Sequence, residues 1–301
     1  MLGNKWSLFY EQTVSFAKIM NITLSKIILN SASRNIVKGI ARLLNRYFSL
    51  KKGISFNINN HKIYAKSWDR IAALCLRKFN LLDTAQLEIL EKIVKDGMVV
   101  VEFGGNTGFH SLQLAKLVGS KGKVYVFEPD PENYSLLLQN IKANHYNNIF
   151  PNNLAVSDKT TKTRLYVCEE HKGDHRMYKT RDKRKTIEIE SVALDDFFND
   201  EDKIDFIKMD IQGWEHRALL GMKKLINKND NIKIICEYAP AWIRASGNTE
   251  KQLINEFLKF GFTLKYINEE KGCLEEISLK GLNEICTGNE FLDLFLERPK
   301  Q

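Results

Sequence analysis

Residues 98–108 read MVVVEFGGNTG, an apolar, β-branched run from Met98 to Phe103 closed by Gly104-Gly105-Asn106-Thr107-Gly108. Such a run is the pattern of a strand buried on both faces of a parallel sheet. A helix follows, with Leu112, Leu114, Ala115, Leu117 and Val118 as its apolar face. Glycines suit this junction, because the chain turns sharply and a Cβ would hold a ligand away from the backbone. The next strand, Val124–Phe127, ends in Glu128-Pro129, and Glu128 stands 24 residues after Gly104. An acid at that tip and spacing is placed to accept hydrogen bonds from both hydroxyls of a ribose. The plain alternative is an exposed loop carboxylate.

The turn is not the dinucleotide fingerprint G-x-G-x-x-G, since its glycines fall at 104, 105 and 108 and the strand's own acid, Glu102, precedes them. An acid there repels a pyrophosphate and welcomes an ammonium. An aminoacyl nucleoside therefore fits better than NAD, and S-adenosylmethionine is such a molecule. Glu102, Gly104, Asn106 and Gly108 would face its methionine end, and Glu128 its ribose.

Four blocks, Val101–Gly108 (VEFGGNTG), Val126–Asn140 (VFEPDPENYSLLLQN), Asn153–Asp158 (NLAVSD) and Ile204–Met222 (IDFIKMDIQGWEHRALLGM), carry a wider likeness. In their order and spacing, over roughly residues 83–298, the chain resembles the FkbM family of S-adenosylmethionine-dependent methyltransferases. The last block is the most specific: Asp210-Ile211-Gln212-Gly213-Trp214-Glu215 closes the fourth strand as Asp-x-x-Gly-x-Glu. Three positions depart from the family's pattern, one of them Gly105 where the family usually has Ala. Glu102 stands for its usual Asp, and Gln212 stands for a Glu, which removes a charge. The resemblance implies an α/β, Rossmann-like class I methyltransferase fold, with a seven-stranded, mostly parallel sheet and helices on both faces. The last strand pair, about Thr263–Ile267 and Phe291–Leu296, would form an antiparallel edge hairpin. It also implies that the third strand, around Ile149–Ala155, brings Asn153 and Ala155 to the adenine, although Asn153 also reads as a turn residue.

Methyl transfer from a sulfonium is an in-line displacement, and an alcohol acceptor must lose a proton. Asp210 ends the fourth strand, and the fifth, Ile232–Cys236, delivers Glu237 to the same carboxyl edge, where doubly wound sheets bind ligands. Two carboxylates there make a site for Mg²⁺ or Mn²⁺, or a base with an orienting group. The plain alternative is that they hold substrate hydroxyls or loop amides. Residues 159–191 read as an inserted hairpin, Thr163–Cys168 and Thr186–Val192, around a charged loop. Most of that loop is a solvated face. Asp174-His175-Arg176, however, joins a potential base, His175, to a potential anion clamp, Arg176, and a similar triplet occurs in the family the chain resembles. His216 is a weaker candidate, and His61, His110 and His145 read as structural or exposed. The function this favours is O-methylation of a hydroxyl on a small molecule, sugar or glycan. Against it stand a nucleic-acid methyltransferase, an NAD-dependent oxidoreductase, and a non-catalytic scaffold on a decayed fold, which Gln212 and Gly105 keep open.

The 301-residue chain has a net charge of +8, but residues 1–52 carry nine Lys/Arg against Glu11 alone and account for all of it. The body is neutral, so no nucleic-acid partner is expected. Residues 6–50 recur in apolar side chains at helical intervals. Two readings stand for this arm: docking on an anionic membrane surface, or packing and oligomerisation. After it comes a hairpin turning at Asn59-Asn60, then helical patterns at about 68–79 and 83–95. The division expected is 1–80 for the arm and hairpin, and 81–301 for the methyltransferase domain. Five dispersed cysteines without CxxC, no signal-peptide pattern and no apolar run long enough to span a bilayer point to a reducing, cytoplasmic setting, with peripheral membrane contact open.

Overall fold

A computed structural model describes residues 54–299 apart from 79, 81 and 289, so the expectations for residues 1–52 lie outside the described residues. The chain enters through β1 (Ile54–Ile58) and β2 (His61–Ala65), an antiparallel hairpin. Asn59 and Asn60 turn it with φ of 51° and 68°. A type I′ turn needs left-handed backbone at both central positions, and Asn tolerates this better than most side chains. Helices α1 (Trp68–Lys78) and α2 (Thr84–Ile93) follow.

The α/β body then runs β3 (Val99–Phe103), α3 (Phe109–Val118), β4 (Lys123–Phe127), α4 (Pro131–Ala143) and β5 (Ile149–Asn152). Next come β6 (Ala155–Val156), β7 (Thr161–Val167), β8 (Lys185–Val192), α5 (Leu194–Phe197) and β9 (Phe206–Met209). After α6 (Glu215–Leu220) and α7 (Lys223–Lys228) come β10 (Lys233–Tyr238), α8 (Pro240–Ala245) and α9 (Glu250–Lys259). The chain closes with β11 (Thr263–Asn268), β12 (Cys273–Glu276), α10 (Leu279–Ile285) and β13 (Leu292–Glu297).

The central sheet has the order β12-β11-β13-β10-β9-β3-β4-β5. Strands β10, β9, β3, β4 and β5 are parallel, and β13 is antiparallel to both β10 and β11. Seven of the eight strands are those the sequence predicts. The eighth, β12, is an edge strand whose residues, CLEE, lack the apolar alternation of a core strand. The third strand is shorter than predicted: β5 ends at Asn152, and Ala155–Val156 leave the sheet to pair with β8 in a three-stranded sheet of order β6-β8-β7. Asn153 holds this break, its side-chain amide donating to the carbonyls of Glu128 (2.8 Å) and Pro129 (3.1 Å).

Both faces of the sheet are buried, which is why β3 is apolar almost throughout. Val101, Phe103, Ile207, Met209 and Cys236 belong to one apolar cluster; Val100, Phe206, Ile235 and Phe295 belong to the other. The second cluster includes Ile58 and Ile63 of the hairpin, Ile71 and Leu74 of α1, and Ile89 and Leu90 of α2. Residues from 54 onward thus supply one layer of the α/β body. Strand order reverses between β3 and β9, and at such switch points the carboxyl ends of the strands leave a crevice. Among the described residues no helix is long and apolar enough to cross a membrane.

Candidate functional site

A cavity opens at that switch point, walled by the turn after β3, the tips of β4 and β9, and the β7–β8 loop. Gly104 has φ 82°, and a Cβ there would lie 2.1 Å from the carbonyl oxygen of Asp210; a Cβ on Gly105 would lie 2.3 Å from Val126 Cγ1. Gly108 has φ 85° and no room for a Cβ beside Leu137. The amides of Gly104 and Gly105 both donate to the carbonyl of Phe127. The turn is therefore wedged between two strand tips with no space for side chains.

Glu128 lines the cavity and is buried. One carboxylate oxygen accepts from the Asn106 amide (2.7 Å), the other from the Asp130 amide (2.9 Å) and Asn133 Nδ2 (3.3 Å). Burial outweighs these bonds and pushes its pKa up to about 7. Oε1 already has two donors, while Oε2 has one and retains capacity for a ligand hydroxyl. Of the other residues predicted to hold a cofactor, Gly104, Asn106 and Ala155 line the cavity, while Gly108 and Asn153 stand behind the wall.

Glu102 is also behind the wall. It is 1% exposed, accepts from Ser111 Oγ, and lies in register with Lys208 of β9. The ammonium it meets is the chain's own, and burial pushes its pKa up to about 7. Lys208 is buried too, and its pKa is raised because Asp210 and Glu102 outweigh the cost of burial.

Across the cavity, Lys208 Nζ lies 3.9 Å from Asp210 Oδ2. Gln212 Nε2 donates to Asp210 Oδ1 (2.8 Å) and reaches Glu237 Oε2 (3.3 Å). A side-chain amide thus bridges the two carboxylates where the Mg²⁺ or Mn²⁺ ion was expected, and the arrangement does not support that site. No group of three or more His, Cys, Asp or Glu among the described residues could hold a metal ion. The Asp-x-x-Gly-x-Glu segment closes on itself: Glu215 Oε1 accepts from the amides of Ile211 (3.1 Å) and Gly213 (3.2 Å). Gln212 and Gly213 are left-handed, with φ of 61° and 95°. Asp210, Gln212 and Trp214 line the cavity; Glu237 does not.

The Asp174-His175-Arg176 triplet divides. His175 lines the cavity. Its Nδ1 accepts from the Cys168 amide (3.1 Å), which leaves the proton on Nε2, 3.8 Å from Asp130 Oδ2. Burial holds its pKa at about 4. It offers the cavity an N–H donor, whereas the lone pair expected of a base is engaged. Asp174 instead bonds Arg176 and Arg184, each at 2.8 Å, and Arg176 reaches Tyr178. These three brace the loop. Tyr178 OH donates to the Gln212 carbonyl (2.9 Å), and Lys172 pairs with Glu132 (2.9 Å), so the loop is anchored on both sides of the cavity.

Sequence reasoning missed Arg77, His110, Lys172 and Trp214 as lining residues. Trp214 sits inside the most specific motif, which was the available signal. Nothing in sequence spacing announces Arg77, because α1 is brought to the cavity only by tertiary packing.

Two curated relatives share short stretches. Protein-L-isoaspartate O-methyltransferases of Methanothrix thermoacetophila and Methanococcoides burtonii are 38% and 34% identical over 56 residues, 19% of this chain in each case. The matches span 27% and 28% of those proteins' own lengths. Among solved structures, the methyltransferase FkbM of Methylobacillus flagellatus KT is similar at 17% identity and a TM-score of 0.43, covering 88% of this chain and 59% of that one. The Aeropyrum pernix fibrillarin with natively bound S-adenosyl-L-methionine is similar at 12% identity and a TM-score of 0.41, covering 81% and 82%. The profile of the methyltransferase FkbM domain matches residues 102–264, more than half of the chain, from Glu102 through both motif-bearing turns to β11. The chain belongs to the FkbM methyltransferase family.

Proposed function

We propose that this protein transfers the methyl group of S-adenosylmethionine to a hydroxyl of a sugar or glycan. The observation that carries the reading is the polarity gradient of the cavity. Along the sheet edge in the order β5-β4-β3-β9, the lining residues Leu154, Ala155 and Val156 beyond β5 offer an apolar surface suited to a base, Glu128 follows at the tip of β4, and Asp210 ends β9, with Arg77 completing the charged lining. That sequence of surfaces matches adenine, ribose and amino acid in turn. When bound, S-adenosylmethionine supplies an electrophilic methyl on a sulfonium.

The chain's own residues do the rest. Glu128 takes the ribose hydroxyls, and the side-chain-free Gly104-Gly105 backbone lets the sulfur end approach. Asp210, with a side chain 37% exposed, is the carboxylate positioned to take the acceptor's proton, held by Gln212 and faced by Lys208. Glu237 acts through Gln212. A carboxylate, an amide and the half-buried Trp214 indole offer hydroxyl acceptors, an amide donor and an apolar plane, a set suited to a polyol. No step runs through a metal ion. The neutral body favours an acceptor other than nucleic acid.

The test is calorimetry with S-adenosylhomocysteine, NAD as control, followed by label transfer from S-adenosylmethionine to glycans and RNA. Wild type should bind S-adenosylhomocysteine and ignore NAD, and Glu128→Gln should weaken binding about 10- to 100-fold, the range for charged hydrogen bonds. No binding by wild type overturns methyl transfer, and label appearing in RNA instead of glycan overturns the acceptor.

A further inference from the structure

The charged end of the cavity is completed from outside the matched domain. Arg77, in the last turn of α1, lines the cavity with its guanidinium 4.3 Å from the centre of the Phe109 ring. Its Nε and Nη2 both reach Asp83 Oδ2, at 2.7 and 2.6 Å. This leaves Nη1 without a hydrogen bond among the described residues. Beside it, His110 Nε2 is buried without a hydrogen-bond partner, 3.6 Å from the same Asp83 oxygen. Asp83 thus holds one edge of the guanidinium and orients it, while the other edge and an imidazole nitrogen remain for a ligand.

The remaining lysine of the lining cannot serve this end. Lys172 is paired with Glu132, and its carbonyl is held by Asn133, which also contacts Glu128. It therefore belongs to the ribose side. A nucleoside pinned at Glu128 with its base among Leu154, Val156 and Met177 runs its 5′ substituent past Gly104 toward Arg77. Resting on the cofactor reading above, we propose that Arg77, assisted by His110, binds the α-carboxylate of S-adenosylmethionine. A planar guanidinium with one edge already oriented is the group that matches a carboxylate. The segment preceding the matched domain then supplies part of the cofactor site.

Calorimetry on the full chain tests this with three probes: S-adenosylhomocysteine, its decarboxylated analogue lacking only the α-carboxylate, and 5′-methylthioadenosine. Wild type should prefer S-adenosylhomocysteine to the decarboxylated analogue by about 10- to 100-fold, as charge-assisted hydrogen bonds do. Arg77→Ala should abolish the preference and leave 5′-methylthioadenosine binding unchanged, with Arg77→Lys restoring part of it. Absence of the preference in wild type overturns the proposal, even if Arg77→Ala does not fold. Equal weakening of S-adenosylhomocysteine and 5′-methylthioadenosine in Arg77→Ala also overturns it. Wild type binding none of the three overturns the cofactor reading itself, an outcome separate from these.

Discussion

Two turns at the carboxyl edge of the sheet are built on one plan and put to different uses. The turn after β3 carries left-handed residues at Gly104, Asn106 and Gly108 and is tied by a buried glutamate, Glu128, through the Asn106 amide. The turn after β9 carries left-handed residues at Gln212 and Gly213 and is tied by a buried glutamate, Glu215, through the amides of Ile211 and Gly213. Burial pushes both glutamates up to about 7. Glu128 opens onto the cavity, whereas Glu215 is sealed, with Oε2 buried and unpartnered. A carboxylate that anchors a turn can reach a ligand only where the strand tip leaves it facing a void.

The harshest way to break the first turn is Gly104→Ala. A Cβ 2.1 Å from the Asp210 carbonyl, on backbone with φ 82°, forces β3 and β9 apart at their tips. Strain and overpacking together should cost about 3 kcal/mol, read as a lowered denaturation midpoint, with ligand binding lost. A variant as stable as wild type would mean that the two turns are not wedged together.

The second turn is sharpened by Gln212→Glu. It replaces the amide between Asp210 and Glu237 with a third carboxylate, which should cost about 1–3 kcal/mol at neutral pH through repulsion and a lost donor. Three converging carboxylates suit a hard cation. Mn²⁺ should therefore restore the variant's melting temperature and leave wild type unmoved. Equal Mn²⁺ responses would refute the amide's blocking role.

The smallest effect concerns the sealed glutamate. Its pKa is raised above the ordinary carboxyl value, so its contribution to stability is fully present below about 4.5 and is lost as pH rises through about 7. Glu215→Gln, a neutral isostere, should flatten the fall of melting temperature across that window, on the order of 2–4 °C for each kcal/mol recovered. An unchanged slope would show that Glu215 stays ionised in the fold.

The backbone demands of this site were legible in the sequence, and the side-chain directions were not. Gly104, Gly108 and Glu128 announce themselves because a strand-to-helix turn restricts residue type. Glu102 was misread because its face of β3 is decided by register: the strand pairs it with Lys208 and turns it into the core. Gln212 was read as a lost charge, but its amide is a donor between two acceptors. The Asp174-His175-Arg176 triplet looked like one unit, yet alternate residues of an extended stretch point opposite ways, so His175 faces the cavity while its neighbours brace the loop. Arg77 stayed invisible because α1 reaches the site through packing of the apolar cluster it shares with the sheet.

The sheet order also dictates how this protein must be synthesised. β13 lies between β10 and β11 yet is made after both. Until Leu292–Glu297 leaves the ribosome, each of those strands presents an unpaired edge, and β11 has only the short β12 beside it. A nascent chain with two open edges is exposed to pairing with other chains. Completion of the sheet must therefore wait for residues 292–297, and a chain cut short before residue 292 keeps both of these edges open.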